Sequence, residues 1–274
     1  MKHQHLFKFC AASACSLLGW AAVENTALLT VSRYTVQIPD LPRLVQISDL
    51  HKRRFGRHQE RLIRKVAALK PEYIVITGDL ISRSVTDYTD TARLLRQLTK
   101  IAPVLTVCGN HEADLPPHLL REFMQTVRES GAQPVDNRII RLGNICLAGL
   151  SLPPDYYRGG GMLGYSGRKQ CAESTICKLL GNCPPNTVLL AHNPLWFPAY
   201  AEWGAALTLS GHVHGGMVRL PLIGGIFSPC RTFFPKYDKG AFRRGRSEMI
   251  VSGGLGKLRL FNPPELCLIT AEAP

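Results

Sequence analysis

Five short apolar runs recur along the chain, and each is rich in Val, Ile, Leu or Thr. Runs of this length and composition are typical of buried central strands, because a strand covered on both faces needs no polar side. The pattern therefore predicts five strands of a covered β-sheet, at residues 43–48, 73–77, 104–108, 187–190 and 207–210.

Between the first two runs, the apolar positions change to helical spacing. Leu62, Val66 and Leu69 recur three or four residues apart within residues 57–69, and Pro71 ends the segment. A strand, a helix and a second strand thus follow one another, which favours a parallel β-α-β connection.

Two further helices are predicted at residues 91–98 and 114–131, and the chain after Gly131 has mainly the pattern of strands. The chain has 274 residues, of which 45% are hydrophobic, so it is long enough for one large domain with a sizeable core. The predicted fold class is α/β, with an α+β arrangement of its later part.

Polar residues that can bind metal ions follow each of the five apolar runs directly. In open α/β sheets, ligands gather beyond the carboxyl ends of the strands, so these side chains are expected in one crevice. Five of the nine histidines of the chain fall in these positions. The residues are Asp49, His51, Asp79, Asn110, His111, His192, His212 and His214.

The types of these side chains predict which ions they bind. Carboxylate, imidazole and amide oxygen together suit Mn, Fe, Zn or related ions better than a thiolate site would. An aspartate can bridge two cations about 3.5 to 4 Å apart, which is the arrangement of two-metal phosphatases and nucleases. Gly78, Gly109 and Gly211 precede three of the polar positions and allow the backbone to turn sharply after a strand.

The formal charge of +13 indicates attraction to an anionic partner. Nucleic acid, a phospholipid surface and a phosphorylated substrate all fit, and the charge alone does not choose among them. A specific nucleic-acid partner is disfavoured because the chain shows no combined aromatic and basic stacking platform. Lys52, Arg53 and Arg54 follow the first polar pair directly, and we expect them to bind a second phosphate or an anionic lipid head group.

The motifs at these positions resemble the signature of the calcineurin-like metallophosphoesterases, over residues 43–270. They are Asp49-x-His51, Gly78-Asp79, Gly109-Asn110-His111-Glu112, His192 and Gly211-His212-x-His214. The resemblance implies a β-sandwich flanked by helices, with four layers in the order α/β/β/α. It also implies two divalent metal ions, which would be Mn, Fe, Zn or Mg.

The resemblance further implies a role for each polar residue. Asp49, His51 and His214 would hold one metal ion, while Asn110, His192 and His212 would hold the other. Asp79 would bridge the two ions. His111 would approach the substrate instead of a metal, and would stabilise developing charge or protonate the leaving oxygen. The reaction implied is direct attack by a metal-bridging hydroxide on a phosphodiester or pyrophosphate bond.

Within the superfamily, a second set of motifs resembles a bacterial membrane-associated branch. This branch includes phosphodiesterases and enzymes similar to UDP-2,3-diacylglucosamine hydrolase, which implies a lipid-linked or sugar-nucleotide substrate. The alternatives are a phosphomonoesterase such as a protein phosphatase, and an inactive metal-containing module that binds anions or membranes. The inactive module is disfavoured because His111 is retained together with every ligand. The motifs of the branch are residues 211–216, Arg219-Leu220-Pro221 and residues 234–237.

The N-terminus has the pattern of a membrane anchor or a signal-like segment. Lys2 and Lys8 precede an apolar run at residues 9–23, and no convincing cleavage site follows. We therefore predict an anchor at residues 1–26 and one catalytic domain at residues 27–274. Basic residues before the segment would leave this domain outside the cytoplasm, next to a membrane surface. A cleaved signal, an ordinary helix and a peripheral cytoplasmic protein are the alternatives.

Overall fold

The computed structural model describes residue 16 and residues 19–158, 169–229 and 231–272. Its first sheet has six strands: β1 (Thr30–Val36), β2 (Leu44–Ile47), β3 (Tyr73–Thr77), β4 (Val104–Val107), β5 (Gln133–Pro134) and β14 (Glu265–Ala271). Their order is β1-β14-β2-β3-β4-β5. The strands β2 to β5 run parallel, so the carboxyl ends of β2, β3 and β4 lie at one edge.

The second sheet also has six strands: β6 (Arg138–Leu142), β7 (Ile145–Leu150), β8 (Thr187–Ala191), β9 (Leu207–Ser210), β12 (Gly240–Arg244) and β13 (Ser247–Val251). Their order is β12-β13-β9-β8-β7-β6, and the four central strands are parallel. A separate antiparallel hairpin is formed by β10 (Val218–Leu220) and β11 (Gly224–Phe227).

The described helices are α1 (residues 19–26), α2 (Glu60–Ala68), α3 (Thr89–Leu98), α4 (Asn110–Ala113), α5 (Pro117–Glu129), α6 (Glu173–Leu180) and α7 (Phe197–Trp203). One core cluster joins α2, α3 and α5 to the first sheet, and another joins α6 and α7 to the second sheet. A third cluster lies between the two sheets. The predicted four-layer α/β/β/α sandwich is thus confirmed.

The central strands are apolar because both faces of each sheet are covered. All four residues of β2 are buried, as are all five of β8 and all four of β9. All five strands predicted from the apolar runs are present, within a residue or two of the predicted bounds.

Two sequence predictions about helices were wrong in part. The segment at residues 57–69 is divided, because His58 and Gln59 have positive φ angles of 53° and 65°. A 3-10 turn therefore precedes α2, and Arg57 lies outside that helix. The chain after Gly131 also contains α6 and α7, which its strand-like pattern did not predict. The short α7 is apolar on most sides, since it packs into a core, and so lacks a helical period.

The predicted anchor falls mainly on residues 1–15, 17 and 18, which lie outside the described residues. Among the residues that are described, no helix is both long and apolar enough to cross a bilayer. The predicted boundary between residues 26 and 27 stays a prediction.

Candidate metal centre

The eight polar residues predicted from the sequence converge at the carboxyl ends of β2, β3, β4, β8 and β9. Three overlapping groups have side-chain ligand atoms within 4.8 Å of one another. The amide oxygen of Asn110 lies 3.2 Å from Nε2 of His192, which adds the eighth residue. The groups are Asp49 with His51 and His214, His51 with Asp79 and His111, and Asp79 with His192 and His212.

Left-handed backbone conformation is concentrated in this cluster. Asp49, His51, Asp79, His212 and His214 have φ angles of 53°, 53°, 52°, 71° and 52°. Each such non-glycine residue costs on the order of 1 kcal/mol or more, and strain of this kind is typical of functional sites. The conformation turns the chain directly after each strand, so that the side chain enters the crevice.

Two glycines allow neighbouring loops to approach closely: Gly109 within the first sheet, and Gly211 between the second sheet and the first. A Cβ atom on Gly109 would overlap the carboxylate of Asp79, and one on Gly211 would overlap the hydroxyl of Ser48. The close approach brings the backbone N–H of His111 to 2.8 Å from Oδ1 of Asp79, to which it donates. Any larger residue at either glycine would therefore push a candidate ligand out of position.

Hydrogen bonds fix the orientation of His192 and Asp49. Nδ1 of His192 donates to the carbonyl oxygen of Thr77 at 2.7 Å, which directs Nε2 toward the cluster. The hydroxyl of Ser48 donates to Oδ2 of Asp49 at 2.6 Å, and the backbone N–H of His212 donates to Oδ1 at 3.1 Å. Both side chains are thus held before any ion binds.

The protonation states of Asp79, His51 and His212 match those of metal ligands. Burial opposes the ionisation of Asp79, but the imidazoles around it, His192 first, outweigh burial and hold its pKa well below the usual range. Burial lowers the pKa of His51 to about 4 and that of His212 to about 3, so both imidazoles are neutral at pH 7. Burial also acts to lower the pKa of His192, but Asp79 raises it to about 9.

This donor set fits divalent cations. Nε2 of His51 and Nε2 of His214 are 3.1 Å apart, and Nε2 of His214 is 3.3 Å from Oδ1 of Asp49. Carboxylates and imidazoles that converge this closely provide several lone pairs for a shared cation. Among the residues that the structure describes, no thiol joins these groups, which agrees with ions that prefer oxygen and nitrogen.

Glu112 supports the cluster, although sequence reasoning gave it no role. Its buried carboxylate accepts hydrogen bonds from the backbone N–H groups of Asp79, Gly109 and Ile81, at 2.9, 2.8 and 3.1 Å. Burial, reinforced by the charge of Asp79, raises the pKa of Glu112 to about 7. The residue ties the loop after β3 to the loop after β4. Its place directly after Asn110 and His111 is the signal that would have identified it.

Two arginines at the rim of the site were also missed. Arg83 and Arg158 line a cleft of about 210 Å³ that includes His111 and Asp79. Both guanidinium groups pair with Asp114, at 3.1 and 2.6 Å, and both side chains remain more than half exposed. Their loops carry no motif, so only the folded chain brings them to the cleft.

The basic residues after His51 lie outside this cleft. Arg53 is only 2% exposed, and its guanidinium donates to the carbonyl oxygen of Gly256 at 2.8 Å. Burial, followed by the charge of Arg61, lowers the pKa of Arg53 to about 10. The expectation that Arg53 reaches the substrate therefore does not fit its position, because its guanidinium group is buried and hydrogen-bonded inside the protein. Lys52 is exposed and Arg54 pairs with Asp90 at 2.8 Å, so for these two the expectation stays a prediction.

Comparisons with known proteins agree with this geometry. The sequence model of the calcineurin-like phosphoesterases matches residues 42–216. The metallophosphoesterase YkuE of Bacillus subtilis is 25% identical, over 93% of this chain and 90% of that protein. Phosphodiesterase YaeI of Escherichia coli is 26% identical, over 83% of this chain and 81% of that protein. UDP-2,3-diacylglucosamine pyrophosphatase LpxG of Chlamydia muridarum is 22% identical, over 91% of both chains.

The match covers more than half of the chain and includes the five strand ends at which the polar residues converge. Members of this family depend on two metal ions, and the Asp and His cluster supplies groups that can bind them. The chain therefore belongs to the calcineurin-like phosphoesterase family and is a metal-dependent phosphoric ester hydrolase.

Proposed function

We propose that this enzyme hydrolyses a phosphodiester or pyrophosphate bond in an anionic substrate. The observation that carries the proposal is the convergence of the metal-binding cluster, His111 and two arginines on one cleft. In this proposal one ion would be held by Asp49, His51 and His214, the other by Asn110, His192 and His212, and Asp79 would contribute to both.

The position of Asp79 supports a bridging role. Its Oδ2 atom lies 3.3 Å from Nε2 of His192 and 3.9 Å from Nε2 of His51, so it contacts both groups of ligands. When bound, two divalent ions polarise phosphoryl oxygens and lower the pKa of water. Mn, Fe, Zn and Mg all accept this mixture of oxygen and nitrogen ligands.

His111 is suited to contact the substrate. Its Nδ1 accepts a hydrogen bond from the backbone N–H of Arg83 at 3.2 Å, so the neutral ring carries its proton on Nε2. Nε2 lies in the cleft, 3.8 Å from Oδ2 of Asp79. Burial lowers the pKa of His111, which favours this neutral form. The Nε2–H group can therefore donate to a phosphoryl or leaving-group oxygen.

The rim arginines favour a substrate with charge beyond the scissile phosphorus. Two guanidinium groups share the single carboxylate of Asp114, which leaves one excess positive charge beside the cleft. One guanidinium group can donate two hydrogen bonds to the oxygens of a phosphate. A second phosphate or a diester oxygen can therefore contact Arg83 and Arg158. A sugar nucleotide or a lipid-linked diphosphate has this chemistry, and the names of YaeI and LpxG support both bond types.

The surroundings of the enzyme are part of the proposal. The basic and apolar sequence at residues 1–26 supports attachment to a membrane, with the catalytic domain outside the cytoplasm. The net charge of +13 supports an anionic membrane surface as a partner.

Hydrolysis of matched substrates tests the proposal. A nitrophenyl monoester, a bis-nitrophenyl diester and a UDP-sugar would be compared, each with Mn, Zn and Mg. The diester or the UDP-sugar should exceed the monoester in kcat/KM by roughly tenfold or more, because only these substrates extend toward the arginines. A monoester preferred by the same factor would contradict the proposal.

Substitution of the two arginines at the rim of the cleft extends the same experiment. Arg83→Gln together with Arg158→Gln should raise KM for the UDP-sugar more than for the small diester. Arg93→Gln is the matched control, since Arg93 is an exposed arginine on α3 that pairs with Asp90 outside the cleft. Unchanged KM values for both substrates would remove these arginines from the substrate site.

A further inference from the structure

Large exposed apolar side chains are concentrated in one region of the described chain. Seven of the ten lie on three loops: the tip of the β10–β11 hairpin, residues 233–234 and residues 258–261. Leu222 at the hairpin tip is fully exposed, and Leu258 is 75% exposed. We call this set the apolar patch; it consists of Leu220, Leu222, Ile223, Phe233, Phe234, Leu258 and Phe261.

The three loops form one continuous surface. Val218 of β10 pairs with Leu260, and the N–H of Arg219 donates to the carbonyl oxygen of Leu260 at 3.0 Å. On the other edge of the hairpin, Phe227 of β11 pairs with Phe233, and their ring centroids are 4.9 Å apart. The flanking loops therefore extend the hairpin on both sides, and their apolar side chains lie next to one another.

Positive charge surrounds the apolar patch. Residues 217–237 and 256–264 together contain five basic residues and no Asp or Glu. Arg231, Lys236 and Lys257 among these are exposed. The other two are Arg219, which pairs with Asp238 at 2.7 Å, and Arg259, which is buried. Apolar loop tips with exposed cations around them match an anionic lipid surface, where the tips enter the interface and the cations meet head groups.

The end of α1 is hydrogen-bonded to one loop of the apolar patch. The side chain of Asn25 at the end of α1 donates to the carbonyl oxygen of Arg259 at 2.8 Å, and Glu24 accepts from the N–H of Phe261 at 2.7 Å. Trp20 and Val23 on α1 are each 46% exposed, which brings nine of the ten exposed apolar side chains of the described residues into one region. The carboxyl end of α1 is thus hydrogen-bonded to the loop that carries Leu258 and Phe261.

The patch is also connected to the metal centre. The side chain of Asn262 donates to the carbonyl oxygen of His214 at 2.7 Å, and the guanidinium of Arg219 donates to that of Gly215 at 3.0 Å. Pro229, in the loop after β11, lines the cleft itself. A membrane in contact with the patch would lie beside the mouth of the site.

We infer that the apolar patch docks on an anionic phospholipid bilayer, with the hairpin tip inserted among the lipids and Arg231, Lys236 and Lys257 against the head groups. Continuous exposed apolar surface of this kind is rare in soluble monomers and marks an interaction site. The patch is carried by loop tips, which a deformable bilayer accommodates more readily than a rigid protein partner. This inference rests on the membrane partner of the proposed function and identifies the surface that meets it, and its test does not depend on turnover.

Fluorescence quenching in vesicles tests the inference with the full-length protein. Leu222→Trp introduces an indole at the hairpin tip, and Leu179→Trp is the matched control, because Leu179 is an exposed leucine on α6. Each variant is bound to vesicles of phosphatidylglycerol and phosphatidylethanolamine that carry brominated acyl chains. The introduced Trp adds its fluorescence to that of the parent protein. This added fluorescence should be quenched for Trp at 222 and unaffected for Trp at 179.

A second pair of variants measures affinity for the same vesicles. Leu222→Ser with Ile223→Ser should weaken binding about tenfold or more relative to the parent, whereas Leu179→Ser should not. If residues 1–26 hold every variant on the vesicles, the quenching result decides. The inference is overturned if the added Trp at 222 is unquenched on bound protein, or if the protein does not bind these vesicles. A concentration-dependent dimer dissolved by the serine changes would assign the patch to a second copy and would equally overturn it.

Discussion

Nε2 of His111 and Oδ2 of Asp79 lie 3.8 Å apart in one cleft, but we expect the two residues to have different roles. Asp79 is buried, ionised and in contact with imidazoles from both groups of ligands. His111 is 24% exposed at its side chain, and its ring proton faces the cleft because Nδ1 accepts from the backbone of Arg83. Metal binding and contact with the substrate are therefore separable by mutation.

The first prediction concerns His111→Ala. This change should lower kcat by roughly 10² to 10⁴-fold, since it removes a donor to the reacting oxygens, while the metal content stays that of the parent. The checks are turnover of a diester and metal analysis of the same preparation. His118→Ala is the matched control, because His118 is an exposed histidine on α5. Undiminished turnover of the His111 variant would show that this residue has no catalytic role.

At the scale of elements, the site depends on loops from two sheets that approach one another closely. Glu112 on α4 joins the loop after β3 to the loop after β4 through three backbone N–H groups. Gly109 provides the space between these two loops, and Gly211 provides the space between the loops after β2 and β9. The strands, helices and loops therefore position the side chains, and the side chains provide the metal ligands and the proton donor.

The second prediction concerns Glu112→Ala. Three buried N–H groups would lose their acceptor, and each unsatisfied group costs about 1 to 3 kcal/mol. The free energy of unfolding should fall by several kcal/mol, which chemical denaturation measures. Glu122→Ala should have little effect, because Glu122 is exposed on α5. A Glu112 variant as stable as the parent would mean that the two loops are held by other contacts.

The central strands were predictable because β2, β3, β4, β8 and β9 are mainly apolar and polar residues follow each of them. The same pattern predicted which side chains converge. Arg83 and Arg158 were not predictable, since their shared contact with Asp114 depends on loops that only the fold brings together. The burial of Arg53 was hidden because its partner, Gly256, is 203 residues away in the sequence. Long-range contacts of this kind leave no local pattern.

At the scale of the whole molecule, the apolar patch and the exposed basic residues around it lie near the metal centre. The apolar patch is hydrogen-bonded to the backbone of His214 and Gly215, and the end of α1 is bonded to the loop that carries Leu258 and Phe261. An enzyme organised in this way has its cleft beside the surface on which we infer that it docks. The boundary at residues 26 and 27 remains a prediction on which this arrangement does not depend.

The number of metal ions bound per chain tests the central claim most directly. The parent protein and the variants Asp79→Ala and His111→Ala would be loaded with Mn or Zn, freed of excess ions and analysed by mass spectrometry. The account predicts two ions for the parent and for the His111 variant, and fewer than two for the Asp79 variant, because its bridging carboxylate is gone. Two tightly bound ions in an active Asp79→Ala protein would contradict the account.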